Sequence, residues 1–380
     1  MDRKYKRDIR SDMRPPEFGK FERWLTVYVA LCILIGLFIG YLNPGAVKAT
    51  LESMPMVLEM PAPMVVYIWL MLMPLMLRVD VAYPRQGFIS SAFRPVHSKL
   101  HKFGALLLAT WVLKPLAVSY VAYVMLNLFG SFPLSHVPYY IAGLVLLGCA
   151  PASPLLFSLV ELTRASASLA RHAFSLNMLL MVVLYPLVAY LLLSRFATSP
   201  SLTELYSSSV MLVLIPFLLA VGLRRVLIEQ KGRAWYKNVF FPKVDALGIA
   251  AYFALIIVVF SINSELVLSV PGVVSVLAVP IVLGIIVSFI LSLGLSMFMR
   301  LGREDGMVAV LSGTVSSYEL GAAMGIATIG ISSPALLALS LYPLLEMPFL
   351  MLCVVLALKM APPLGGLETL ATYRGGRGGR

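Results

Sequence analysis

Charge is scarce in this chain. Asp, Glu, Lys and Arg make up only 13% of its 380 residues, against roughly 25% in soluble domains. Hydrophobic residues make up 60%, and the mean hydropathy is +0.91. That composition is the signature of a polytopic membrane protein. Cysteine and histidine are scarce too. Cys32, Cys149 and Cys353 all lie in hydrophobic stretches at no metal-type spacing, which leaves neither a disulfide framework nor a zinc site. His97, His101, His136 and His172 fall in loops or at the ends of hydrophobic stretches. Without a Ser-His-acid arrangement or a paired-His spacing, an enzyme lacks its working parts. No G-x-x-x-x-G-K-[ST] phosphate loop occurs, and no loop is long enough for a soluble domain, which argues against an ATP-driven pump. No motif calls for a cofactor.

Acids are fewer than bases, and the formal net charge is +12. In a soluble protein that excess would point to nucleic acid. Here the Lys and Arg sit in the tails and in alternate loops of a chain expected in the lipid bilayer, a bias the positive-inside rule explains without nucleic acid or any other polyanionic partner. The Arg374-Gly375-Gly376-Arg377-Gly378-Gly379-Arg380 segment reads as a flexible cytosolic end. The hydrophilic residues 1–23 precede a hydrophobic stretch with no small-residue cleavage site, so they read as a cytosolic tail rather than a signal peptide.

Stretches near the roughly 20 apolar residues that span a bilayer fall at 24–42, 62–79, 103–129, 138–159, 172–195, 208–225, 244–264, 271–299, 307–330 and 333–358. The loops 80–102 (Arg85, Arg94, Lys99, Lys102), 160–171, 226–243 and 300–306 carry the Lys and Arg; 43–61, 130–137, 265–270 and 331–332 carry almost none. Both termini are therefore expected in the cytosol of a multi-pass cell-membrane protein. The expected fold is all-α, with ten transmembrane helices. Five spans per half is an odd number, so related halves at 24–195 and 208–358 would enter the membrane from opposite sides, flanked by tails 1–23 and 359–380.

Two spans are interrupted, at Cys149-Ala150-Pro151-Ala152-Ser153-Pro154 and at Ser312-Gly313-Thr314-Val315-Ser316-Ser317-Tyr318-Glu319. The span after each contains the same tetrapeptide, Leu184-Tyr185-Pro186-Leu187 and Leu341-Tyr342-Pro343-Leu344. Unwound backbone inside a bilayer is tolerated only where it is buried in protein or lines a cavity. Broken helices at matching places in two halves point to the binding site of a secondary transporter. Spans 4 and 9 are therefore expected to be broken and to cross.

Ionisable groups inside the hydrocarbon cost at least roughly 2.5–3.5 kcal/mol each, so those present are functional candidates. They are Glu319 in the second break, Glu346 one turn after Pro343, and Lys114 before Pro115. A buried carboxyl can bind a proton, whereas a neighbouring amine would hold it as a charged pair. Glu319 and Glu346 are thus candidate proton or cation sites. Glu346 could instead be solvated in a cavity or pair with Lys114, and Lys114 could snorkel to an interface. Ser153, Asn177, Ser316 and Ser317 gather near the breaks and offer oxygen ligands for a cation or partners for a small solute; such residues also help membrane helices pack. Cys149 could bind a thiophilic substrate as a thiolate, though buried thiols are usually inert.

Several segments resemble the bile acid/sodium symporter superfamily, and within it the arsenite permeases of arsenical resistance. They are Arg23-Trp24-Leu25-Thr26 with Gly36, Gly40, Tyr41, Asn43 and Pro44; Gly143-Leu144-Val145-Leu146-Leu147-Gly148 before Ala150-Pro151; and Asn177-Met178-Leu179-Leu180. Tyr318-Glu319-Leu320 stands for Phe-Glu-Leu, and Pro343-Leu344-Leu345-Glu346-Met347-Pro348 for Pro-Leu-Val-Glu-Val-Pro. The chain departs where Ala152 replaces a Cys, Ser316-Ser317 an Asn-Asn, and Thr110-Trp111 an Asn-Trp; Lys114 looks more like some sodium-coupled organic-anion members. The resemblance implies a core of spans 3–5 and 8–10 moving against a panel of spans 1, 2, 6 and 7. It further implies arsenite, or a related small oxyanion, leaving in exchange for protons. Glu319 would carry the coupling proton, Glu346 would support it, and Ser153, Asn177, Ser316 and Ser317 would hold the solute. The alternative is a sodium-coupled importer of an organic anion, with Lys114 drawing in the carboxylate.

Overall fold

The computed structural model describes residues 20–57, 60–79, 100–128, 136–198 and 200–359. The basic residues Arg85, Arg94 and Lys99, the Arg/Gly tail and most of the N-terminal tail lie outside the described residues. Among those described, the chain is helical apart from connections and one two-residue β-hairpin, β1 Met56–Val57 against β2 Met60–Pro61. That hairpin and the short helix α2 Ala46–Glu52 occupy what the sequence reads as a plain loop. Among the described residues, six helical runs are long and apolar enough to cross a membrane, and Ala62–Leu77 and Val137–Cys149 are shorter apolar helices.

In chain order the larger elements are α1 Lys20–Leu42, α3 Ala62–Leu77 and α4 (100–128). Then follow α5 Val137–Cys149, α6 Leu155–Leu162 and α7 Ala167–Phe196. Next come α8 (202–235), α9 Phe241–Ile262, the short α10 Ser264–Ser269 and α11 Gly272–Phe298. Last come α12 Arg303–Ser312, α13 Tyr318–Ile329, α14 Pro334–Ser340 and α15 Tyr342–Lys359.

One of the six runs, 202–262, folds back on itself as two limbs rather than one. Gly232 within it has φ 83°, in the left-handed region, where a Cβ would be strained. Side chains along α3 then give the direction of each limb. Tyr67 donates to Ala251 O, and Trp69 Nε1 to Met211 O at 3.1 Å. A few turns on, Arg78 meets Asp245, Tyr236 donates to Leu77 O at 3.3 Å, and Arg224 donates to Val79 O. Along α3, α8 therefore runs in the same sense and α9 in the opposite sense.

Helix α9 packs on α1 and on α3, and α3 on α8, as one group; α4, α5, α7, α11 and the segments α12–α15 form a second group, which α1 meets at α15 and the start of α8 meets at α7. The two groups do not follow the two halves of the chain, since each draws helices from both. The outer faces remain apolar: on α1, Leu31, Leu34, Ile35 and Phe38 are exposed, Leu34 by 62% and Phe38 by 61%. A continuous apolar face of that kind is stable against lipid and not against water. The molecule is a multi-pass, all-helical membrane protein in its main architecture.

Candidate functional site

Both interruptions in the sequence are interruptions in the fold. Helix α5 stops at Cys149, and α6 begins at Leu155. Ala150 is extended (φ −68°, ψ 131°), as the residue before a proline is driven to be, and Pro151 has no N–H with which to continue the ladder. Helix α12 stops at Ser312, and α13 begins at Tyr318. Here no proline is involved. The Ser317 side chain caps the new helix by accepting from Leu320 N, a role suited to Ser.

The two unwound segments meet. The Ser317 N–H donates to Pro151 O at 2.8 Å, joining the breaks backbone to backbone. Close approach of α5 to α14 needs a small residue at Gly143, where a Cβ would run into the Ala335 carbonyl.

Lys114 lies directly after a π-helical segment of α4, Ala109–Leu113, an irregularity often found at functional sites. Its side chain is fully buried, at 0% exposure. The ammonium donates to Ala150 O at 2.5 Å and to Val315 O at 3.0 Å, one carbonyl from each break. It does not snorkel, and among the described residues no carboxylate lies within ion-pair distance of it.

Glu319 and Glu346 line one cavity of about 260 Å³, together with Ser153 and Ser158. The opposite wall comes from α1, α3 and α9, including Met71, Gly248 and Tyr252. The cavity thus lies between the two packing groups, with Arg78 and Asp245 paired at 2.7 Å in its lining. Glu319 Oε2 accepts from the Ser317 hydroxyl at 2.8 Å. Glu346, 5% exposed, accepts at Oε1 from Tyr342 OH at 3.1 Å, and that hydroxyl accepts in turn from Ser316 N at 3.0 Å.

Of the residues singled out in the sequence, Glu319, Glu346 and Ser153 reach the cavity. Ser316, Ser317 and Lys114 stand behind it in the crossing. Asn177 accepts from Trp111 Nε1 at 2.9 Å and ties α7 to α4. Cys149 is fully buried outside the cavity lining, and Ala152 is buried too. Sequence reasoning passed over Arg78, Asp245 and Tyr252. The first two look like ordinary charges flanking a span, and a tyrosine on an apolar helix carries no signal of its own. The two tyrosines of the repeated tetrapeptide have a structural role that repetition alone does not reveal. Tyr185 OH donates to Leu146 O at 3.0 Å, in the half-helix before the first break, and Tyr342 serves the second break.

Such a site can bind a small polar solute between two bodies and hold a proton or cation beside it. Comparison with known proteins agrees with a carrier. The sequence pattern of the sodium bile acid symporter family matches residues 65–270. The arsenical-resistance protein Acr3 of Alkaliphilus metalliredigens (strain QYMF) is 30% identical over 341 residues, covering 88% of this chain and 92% of its own. An uncharacterized transporter of Synechocystis sp., slr0944, is 29% identical over 355 residues, 90% of this chain and 89% of its own. A second arsenical-resistance protein Acr3, from Corynebacterium glutamicum, is 22% identical over 360 residues, 92% of each chain.

Proposed function

The chain belongs to the sodium bile acid symporter family and is a membrane transporter, and from that premise we propose that it exports arsenite, or a related small oxyanion, by proton antiport. The observation that carries the cargo is the likeness, over nearly the whole chain, to an arsenical-resistance protein. The cavity agrees in size: about 260 Å³ lies below the roughly 300–1,000 Å³ of sites for drug-sized ligands. It suits a small inorganic solute better than a bile-acid-like anion.

In this reading the molecule has ten crossings in two inverted five-helix repeats. Supporting it are the matching order of half-helix, break, half-helix and long helix, and the two tetrapeptide tyrosines bonded within their own halves. The α1/α3/α8/α9 group is the panel and the other group the core; rocking one against the other would expose the cavity alternately to each side. Both termini lie in the cytosol, and the membrane is the plasma membrane. The cavity then faces inward, since its lining takes the N-terminal part of α1 and the C-terminal end of α3.

Glu319 takes the coupling proton, because it lines the cavity at the start of α13 and has a hydroxyl partner in the break. Glu346 supports it from the lining of the same cavity. Ser153 contacts the solute from the first break, while Ser316 and Ser317 shape the second break and Asn177 ties α7 to α4. Reconstitution in liposomes tests the proposal: arsenite flux should follow an imposed proton gradient and vanish in Glu319→Gln. Flux that follows a sodium gradient, or flux unchanged in Glu319→Gln, would overturn it.

A further inference from the structure

Helices α5 and α12 approach the crossing with their C-terminal ends, where unpaired carbonyls and the helix dipole concentrate negative potential. In transporters such ends, with unwound carbonyls beside them, are where small cations bind. In this chain Lys114 Nζ occupies that point, with Ala150 O at 2.5 Å and Val315 O at 3.0 Å. We propose that the Lys114 ammonium is a tethered cation filling a cation site between the two breaks, so that this carrier works without sodium.

The same contacts connect the ammonium to the cavity. The Val315–Ser316 peptide accepts from Lys114 at its oxygen and donates from its N–H to Tyr342 OH, which donates to Glu346. A cation at Lys114 therefore fixes the peptide whose other face orients the Tyr342–Glu346 pair. Lys114 is a positioning residue: it touches the breaks and stays outside the cavity lining. A free cation in the same place would do the same work but would leave and return with ion concentration, whereas the tether keeps the amine in place.

The flux test rests on the arsenite reading, whereas a second readout does not. Full-length protein is reconstituted, and arsenite flux is measured in sodium, potassium or choline. Wild-type flux should be equal in all three. Lys114→Ala should lose about tenfold or more in potassium, the scale of one charged hydrogen bond, and recover when sodium or ammonium is supplied. Melting in detergent should follow the same pattern: either cation raises the Tm of Lys114→Ala and leaves that of wild type unmoved. A merely structural lysine would show no cation rescue.

Wild-type flux or melting that depends on sodium overturns the proposal. So does Lys114→Ala that transports normally in potassium, or that folds and ignores both cations. If Lys114→Ala does not fold, Lys114→Gln carries the same arms, and the response of wild type to sodium still decides. If wild type carries no arsenite at all, the functional reading fails while the melting arm still judges Lys114.

Discussion

In the first break, Pro151 and Pro154 remove two N–H groups, and what the segment presents is carbonyls: Ala150 O to Lys114 and Pro151 O to Ser317. In the second, residues 313–317 contain no proline, and two N–H groups donate, that of Ser317 across the crossing to Pro151 O and that of Ser316 to Tyr342 OH within its own half. One break is an acceptor held stiff by fixed φ angles. The other is chiefly a donor that leads straight into a carboxylate, Glu319. The two segments hold each other because their hydrogen-bonding characters are opposite. Two breaks of one kind would leave buried polar groups unpaired, at about 1–3 kcal/mol each. The division also says where chemistry belongs: the proline break is a wall, and the serine break carries the group that can change its charge.

The sharpest way to break this contrast is to remove the ionisable group on one side and the polar contact on the other. Glu319→Gln should lower proton-driven arsenite flux at least about 100-fold, equivalent to about 2.7 kcal/mol, with the protein still monodisperse in detergent. Ser153→Ala, on the wall, should lose less than about tenfold, within the range of one neutral hydrogen bond. Comparable losses in the two variants would show that both breaks share the coupling step.

A second comparison sets the tetrapeptide tyrosines against each other. Tyr342→Phe leaves the Ser316 N–H without its hydroxyl partner and deprives Glu346 of a donor. Tyr185→Phe uncovers only the Leu146 carbonyl, next to the point where the Ala150 N–H has turned to Leu147 O. Buried orphan N–H groups are rarer in proteins than under-satisfied carbonyls. Tyr342→Phe should therefore be the costlier change, by about 1–2 kcal/mol, read as a larger fall in Tm and in flux. The reverse order would mean that the first half carries the stability of the crossing. Smaller again is Ser317→Ala, which removes the cap of α13 and the hydroxyl on Glu319. A loss of about 1 kcal/mol is expected from the cap, and full retention of Tm would show that the backbone bond to Pro151 suffices.

Much of this was legible in the residues. Proline pairs and Ser/Gly runs inside apolar spans break helices for local reasons that propensity captures. Acids in hydrocarbon announce themselves by their cost. What could not be read was partnership across the chain. Lys114 and Val315 are 201 residues apart, and nothing in the local pattern says that the ammonium is satisfied by carbonyls rather than by Glu346 or by an interface. Asn177 presents the same difficulty: its amide looks like a solute ligand until Trp111 is seen donating to it. Arg78 and Asp245, 167 residues apart, each resemble a loop charge because spacing does not bring distant span ends together. The turn inside the helical run 202–262, by contrast, was legible as the basic loop 226–243 between two apolar spans, and the positive φ falls within it at Gly232.

The mildest test bears on the wall itself. Pro151→Ala keeps the carbonyl that Ser317 uses and adds an N–H that the wild-type segment lacks. If carbonyl placement is all that the first break contributes, Tm should shift by less than about 1 kcal/mol equivalent, as expected for a proline exchanged at compatible angles. Flux should then stay within about threefold. If stiffness is what matters, Ala150 is no longer held extended, and α5 can add a residue. The Ala150 carbonyl then turns into the helix and away from Lys114. That outcome would appear as a flux loss approaching that of Lys114→Ala, with sodium or ammonium failing to restore it, because the ligand rather than the cation has been removed. The two losses would have different ion dependence even at equal size, so the flux of Pro151→Ala in sodium and in potassium decides whether the proline break acts by its shape or by its oxygens.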